Sequence, residues 1–187
     1  MKTQLLTICL MLFGFTNVFA QAPSYTDFEW DVVGIGVAIP IDENSIKEGL
    51  SLAGEVRYNL ADNFSLGLGG EMNFFDLEEL DDRGGTGTIG SSFSSYLTAD
   101  YYFSSSSANR AFAGLAFGGN VNGDIEIPDT GESTFTEGAS GVSLAPRIGY
   151  ELGHARFSAQ YNIGLKEELY NYLTIRVALT LWGGYKG

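Results

Sequence analysis

Three arginines and four carboxylates stand among small residues in stretches of alternating character: Glu55, Arg57, Glu71, Asp100, Arg147, Glu151 and Arg176. Such a set can do two things. Gathered away from water, the charges must pair, because an isolated buried charge is costly. Lining a narrow path, they would steer ions along it. A second set is almost purely acidic. Asp76, Glu78, Glu79, Asp81 and Asp82 are opposed only by Arg83, and Asp124, Glu126, Asp129, Glu132 and Glu137 follow. Grouped carboxylates can hold Ca²⁺ or Mg²⁺. This order lacks the Asp-x-Asp-x-Asp-Gly of a defined calcium loop, so solvated loops are expected and no metal is assigned. His154, the single histidine, lies between Gly153 and Ala155. Lipid-acyl chemistry would need a histidine beside a serine and a carboxylate. The predicted turn around His154 lies away from the leaflet where that chemistry would occur. The Gly84–Gly90 stretch lacks the strand-to-helix context of a phosphate loop. No catalytic residue and no cofactor is assigned, and the chain is read as a non-enzyme.

The elements that position these charges have a period of two. Val33, Ile35, Val37 and Ile39 share one face; Gly34, Gly36 and Ala38 share the other. Leu52, Val56 and Tyr58 oppose Ser51, Glu55 and Arg57. Leu66, Leu68 and Met72 oppose Gly67, Gly69 and Glu71. Leu97, Ala99 and Tyr101 oppose Tyr96, Thr98 and Asp100. The second half repeats the rule around Leu115 and Phe117, Leu144 and Ile148, Phe157 and Tyr161, and Ile175 and Val177. Phe112 is the main exception. Eight segments of roughly ten residues result, the length of a tilted strand crossing hydrocarbon. One face is large and apolar, and the other is small or polar with isolated charges. Gly and Ala make a poor water-solubilising surface. The pattern therefore predicts an inside-out, all-β, eight-stranded antiparallel up-and-down transmembrane β-barrel.

The connections alternate as well. Ala61–Asn63, Ser104–Arg110 and Gly153–Ala155 are short; Pro40–Gly49, Phe75–Ser91 and Asn122–Ser140 are long. Short turns on one side and long loops on the other suit a membrane barrel, with both termini on the short-turn, periplasmic side. Pro146 removes a ladder donor and is a candidate bulge. Trp30, Tyr58, Phe64, Tyr101, Phe103, Phe157, Trp182 and Tyr185 fall near the short-turn end, and Phe74, Phe75, Phe93, Tyr170 and Tyr172 near the other. Two aromatic belts are expected at headgroup level. Apolar residues in the long loops (Leu77, Leu80, Ile125, Ile127 and Phe135) suggest hairpins rising beyond the membrane, able to meet a partner by edge pairing.

Residues 1–20 read as a cleaved signal peptide: Lys2, an apolar run from Leu5 to Phe15, and Val18-Phe19-Ala20 before Gln21. Cys9 lies inside it, so the mature chain has no thiol for disulfides or metal sites. Removing 20 of 187 residues leaves 167, with nine basic residues against twenty-three acidic ones. That balance excludes a footprint for nucleic acid or anionic headgroups. Residues 21–29 are expected as a periplasmic tail and 30–187 as the barrel.

The signal peptide ending in Ala before Gln, the eight alternating strands, the Gly-rich inner faces and the acidic outer loops resemble the small outer-membrane β-barrel family. That family includes the barrels of outer membrane proteins A, X and W. The resemblance implies a Gram-negative outer-membrane location and lipid contact. Members usually end on an aromatic residue; here Lys186-Gly187 follow Trp182 and Tyr185. An eight-stranded barrel is just wide enough for its own side chains, which favours a plug of paired charges over an ion path. The expected role is structural or surface-interacting, through acidic outer loops, in a monomer. A narrow pore and a lipid-modifying enzyme are the contrasting readings.

Overall fold

The computed structural model describes residues 25–41, 47–75, 87–103, 109–127 and 132–185. Eight strands follow in order: β1 (Phe28–Pro40), β2 (Gly49–Ala61), β3 (Phe64–Phe74) and β4 (Gly87–Tyr102), then β5 (Asn109–Ile127), β6 (Thr134–Leu152), β7 (Ala155–Gly164) and β8 (Tyr172–Trp182). Each pairs antiparallel with the next, and β8 returns to β1, so the sheet closes into a barrel. Closure satisfies the wall's backbone groups within the ring and leaves no edge there.

Side chains sort by alternation. Ile35, Val37, Leu68, Leu97, Phe117, Ile148, Ile175 and Leu179 stand exposed on the outside, while Ser51, Arg57, Glu71, Asn73, Asp100 and Arg176 are buried inside. A continuous exposed apolar girdle around a polar interior matches hydrocarbon outside, the reverse of a water-soluble barrel. Trp30, Tyr58, Tyr101, Phe103, Phe157 and Trp182 are exposed at the short-turn end. Phe74, Phe93 and Phe135 form an edge-on aromatic row at the other, with centroids 6.4 and 5.5 Å apart.

Several boundaries differ from the sequence reading. The barrel begins before residue 30, because Phe28 and Glu29 already pair with Tyr58 and Arg57, and Tyr25 bridges to Tyr185. The Asn122–Ser140 connection is mostly strand: β5 reaches Ile127 and β6 starts at Thr134. Gly87–Ser91 likewise belong to β4, and Asn109–Arg110 to β5. Pro146 makes no bulge. It stays in register opposite Leu115, and the pairing of β6 with β7 skips Ala145 and Pro146 without shifting, as a missing N–H requires. Register shifts fall instead at Asp31/Gly34, Asn59/Ala61 and Val121/Gly123, and, where β1 meets β8, at Trp30/Asp31 and Asp31/Val33. Asp76, Glu78, Glu79, Asp81, Asp82 and Asp129 lie outside the described residues, as do residues 1–24.

Phe112 points inward with the parity of Gly114 and Ala116, and its cross-strand partner Gly149 leaves room for the ring. A Cβ built on Gly149 would sit 2.4 Å from the Phe112 ring and 2.2 Å from the Phe157 carbonyl oxygen. Gly149→Ala is expected to destabilise the barrel by about 1–3 kcal/mol through overpacking. Equilibrium urea unfolding in detergent micelles would measure it, and an unchanged midpoint would contradict this packing.

Candidate functional site

The interior is stratified along the barrel axis. At the short-turn end, Arg57 is fully buried among three carboxylates: Glu29 at 2.9 Å, Asp31 at 3.1 Å and Glu151 at 2.5 Å. Arg110 joins the same group through Glu29 at 2.9 Å and Glu151 at 2.6 Å. Arg156 reaches Glu151 and lies 2.6 Å from Asp100. The Tyr102 hydroxyl accepts from Arg57 at 2.6 Å and from Arg156 at 2.9 Å, and lies 3.1 Å from Glu151. Thr180 donates to Asp31 at 2.6 Å.

One level further in, Arg147 makes two forks. Its Nε and Nη2 donate to Asp100 at 2.7 and 2.6 Å; its Nη1 and Nη2 donate to Glu55 at 2.9 and 2.6 Å. Two-pronged guanidinium–carboxylate pairs fix geometry as well as charge. Thr98 donates to Glu55 at 2.6 Å. Next comes Arg176, paired with Glu71 and donating to Gln160 at 3.0 Å. Tyr96 and Asn73 each donate to Glu71 at 2.9 Å. Alongside the three levels lies a cavity of about 30 Å³, bordered by Asp31, Glu55, Arg147, Arg156 and Arg176. It has room for about one or two waters and no more.

Towards the long-connection end the lining becomes neutral. Ser51, Asn73, Ser92, Asn120, Asn162 and Thr174 are all buried there. Both ends are capped. At the long-connection mouth, Phe75 and Tyr172 are fully buried with Ala38, ring centroids 5.8 Å apart, and Tyr170 packs on Phe75 at 5.9 Å. Phe75 and Tyr172 thus leave the aromatic belt assigned to them. Tyr172 shares the inward parity of Thr174 and Arg176, and Phe75 turns in just past the end of β3. At the base, the Arg110 guanidinium is held between the Tyr25 and Tyr102 rings, 3.5 and 3.6 Å from their centroids. Burial pushes the Tyr25 hydroxyl up to about 12, so this base residue stays neutral at ordinary pH.

All seven lumen charges named from the sequence meet in this interior. Glu29, Asp31, Arg110 and Arg156 were missed. A signal for them existed: Arg110 and Arg156 both stand directly opposite Glu151, and Glu29 stands opposite Arg57. His154 is exposed in the β6–β7 turn, with Nδ1 3.1 Å from the Thr180 carbonyl oxygen. Its partner is backbone and not a hydroxyl nucleophile.

No family model and no curated protein matches the sequence. Solved structures do. Ail, the attachment invasion locus protein of Yersinia pestis, superposes with a TM-score of 0.53 at 14% identity, covering 86% of this chain and 99% of Ail. Neisserial surface protein A superposes with a TM-score of 0.57 at 14% identity, covering 87% of this chain and 99% of that one. The fold is that of the small outer-membrane β-barrels. Ail in complex with the heparin analogue sucrose octasulfate also matches this barrel, with a TM-score of 0.50 at 12% identity over 86% of this chain and 99% of that one.

Proposed function

We propose that this chain is a non-enzymatic outer-membrane barrel with a closed lumen, acting as a structural element and as a carrier of an acidic surface outside the cell. One observation carries the reading: five arginines and six carboxylates (Glu29, Asp31, Glu55, Glu71, Asp100 and Glu151) fill the interior, between caps at both ends. A barrel of this width has no room for both this network and a water column. The apolar girdle supports a membrane location, the signal-peptide pattern of residues 1–20 supports export, and the short turns support periplasmic termini.

The long-connection end faces outward in this reading. Among the described residues, Glu48, Asp124, Glu126, Glu132, Glu137, Glu167 and Glu168 are exposed there, against Lys47 and Lys166. That balance is unsuited to a polyanion such as the sulfated sugar held by Ail, and it suits a cationic partner.

Single-channel recording of the refolded mature chain in a planar bilayer tests the closed lumen, with insertion verified by protease protection. The expected result is insertion without discrete openings. Steady openings of fixed size would overturn the closed-lumen reading in favour of a narrow pore, with Arg57, Arg147 and Arg176 as the first residues to neutralise.

A further inference from the structure

The wall is closed, but β6 outgrows it. Its pairing with β7 ends at Ser143 opposite Gly164, while its pairing with β5 continues to Thr134 opposite Glu126. Among the described residues, Thr134–Gly141 therefore has a neighbouring strand on one side only. On its open side the Lys166 ammonium donates to the Ser140 carbonyl at 3.3 Å. Thr134 to Gly138 and Ser140 are exposed.

A cavity of about 400 Å³ adjoins this edge. Gly138–Ser140 form one wall, and Lys166, Glu168 and Tyr170 of the β7–β8 connection form the other. Asn122 borders it and is 2% exposed. The Asn122 amide donates to the Glu168 carbonyl oxygen at 3.3 Å, which fixes its orientation. Its Oδ1 is then buried with no partner among the described residues. A buried acceptor left unpaired is costly, and a donor arriving from outside would relieve that cost. The Glu168 side chain is exposed beside it.

We infer that this mouth is a strand-addition site for an extended peptide segment bearing a lysine or arginine. The segment's backbone pairs with the open edge of β6, and its basic side chain enters the cavity towards Asn122 Oδ1 and Glu168. Backbone pairing supplies affinity and the pocket supplies specificity, as in other strand-addition complexes. The inference rests on the surface-interaction reading above and names its partner class. A second copy of the chain is the poorer occupant, because edge-to-edge pairing brings Glu132 and Glu137 of both copies together.

The probe is a fluorescent nine-residue peptide of alternating Thr and Val with a central Lys, added to the full mature barrel in nanodiscs. Versions with central Glu and central Pro accompany it. Anisotropy is expected to show the Lys peptide binding about tenfold more tightly than the Glu peptide, the scale of one charge-assisted hydrogen bond. The Pro peptide, which lacks a ladder donor, should bind more weakly than the Lys peptide. Glu168→Gln should reduce the preference for Lys, and amide exchange should slow over residues 134–141 when the Lys peptide binds. Glu168 is exposed, so this variant should fold, and its retained fast mobility on an unboiled gel verifies that. No binding, equal binding of all three peptides, or protection confined elsewhere would overturn the site. Sedimentation as a dimer through this edge would overturn it in favour of a second copy. The current recording separates the two claims. A conducting barrel defeats the closed lumen and leaves the edge test standing, and a silent barrel that ignores the Lys peptide defeats only the edge site.

Discussion

Arg57→Ala is expected to lower the stability of the folded barrel by about 3–5 kcal/mol, the cost of breaking a buried ion pair by removing one partner. Arg57 is 1% exposed, and its guanidinium faces Glu29, Asp31 and Glu151. Removal leaves three carboxylates to share Arg110 and Arg156. It also leaves the Tyr102 hydroxyl without its shortest donor. In the closed-lumen reading, the charge is lost where no water column can replace it. Arg176→Ala should cost less. Arg176 pairs with Glu71 alone, and Tyr96, Asn73 and Gln160 still donate to that carboxylate at 2.9, 2.9 and 3.3 Å. Urea titration in micelles, followed by the mobility difference between folded and unfolded barrel, gives both numbers. The order Arg57 before Arg176 is the decisive feature. Equal and small losses would mean that the network is hydrated and contributes little.

The same network explains what the sequence made legible. Alternation alone assigns a face to each residue in mid-strand, so Glu55, Arg57, Glu71, Asp100, Arg147 and Arg176 could be placed inside before any pairing was known. Glu151 followed from the same rule near the end of β6. The rule fails where parity is interrupted or has not yet begun. Asp31 precedes the register shift at Asp31/Gly34, Arg110 follows a serine run, and Arg156 comes just after the Gly153–His154 turn, next to Ala155 at the start of β7. For those residues the cross-strand partner carries the signal, and partners depend on register, which turns and bulges set. The aromatic caps were harder still. Phe75 lies just outside β3, where a period of two no longer constrains direction. Tyr172 was legible by parity but was assigned to the belt by its type. The extension of β5 and β6 could be suspected from Ile125, Ile127 and Phe135. The open edge could not, because it depends on where β7 stops.

Leu97→Arg is the second large effect expected, a loss of about 2–4 kcal/mol for a cation placed near the bilayer midplane on the lipid face of a barrel. Leu97 lies in the body of β4, opposite Leu68 and Phe117, and is 65% exposed. Leu181 is the natural control, because it is the same residue type and is 66% exposed. It stands one residue from the end of β8 at the short-turn end, beside Trp182. Leu181→Arg is expected to cost only about 0–1 kcal/mol, since the guanidinium there reaches the interface. The comparison separates two solvents. If the girdle faced water, both leucines would be ordinary surface positions and both substitutions would stay within about 0.5 kcal/mol. If it faces hydrocarbon, equal exposure gives unequal cost, ordered by depth. Folding titrations of the two variants in lipid vesicles read that difference directly. Equal costs would remove the membrane assignment, and with it the reason for burying eleven charged side chains inside.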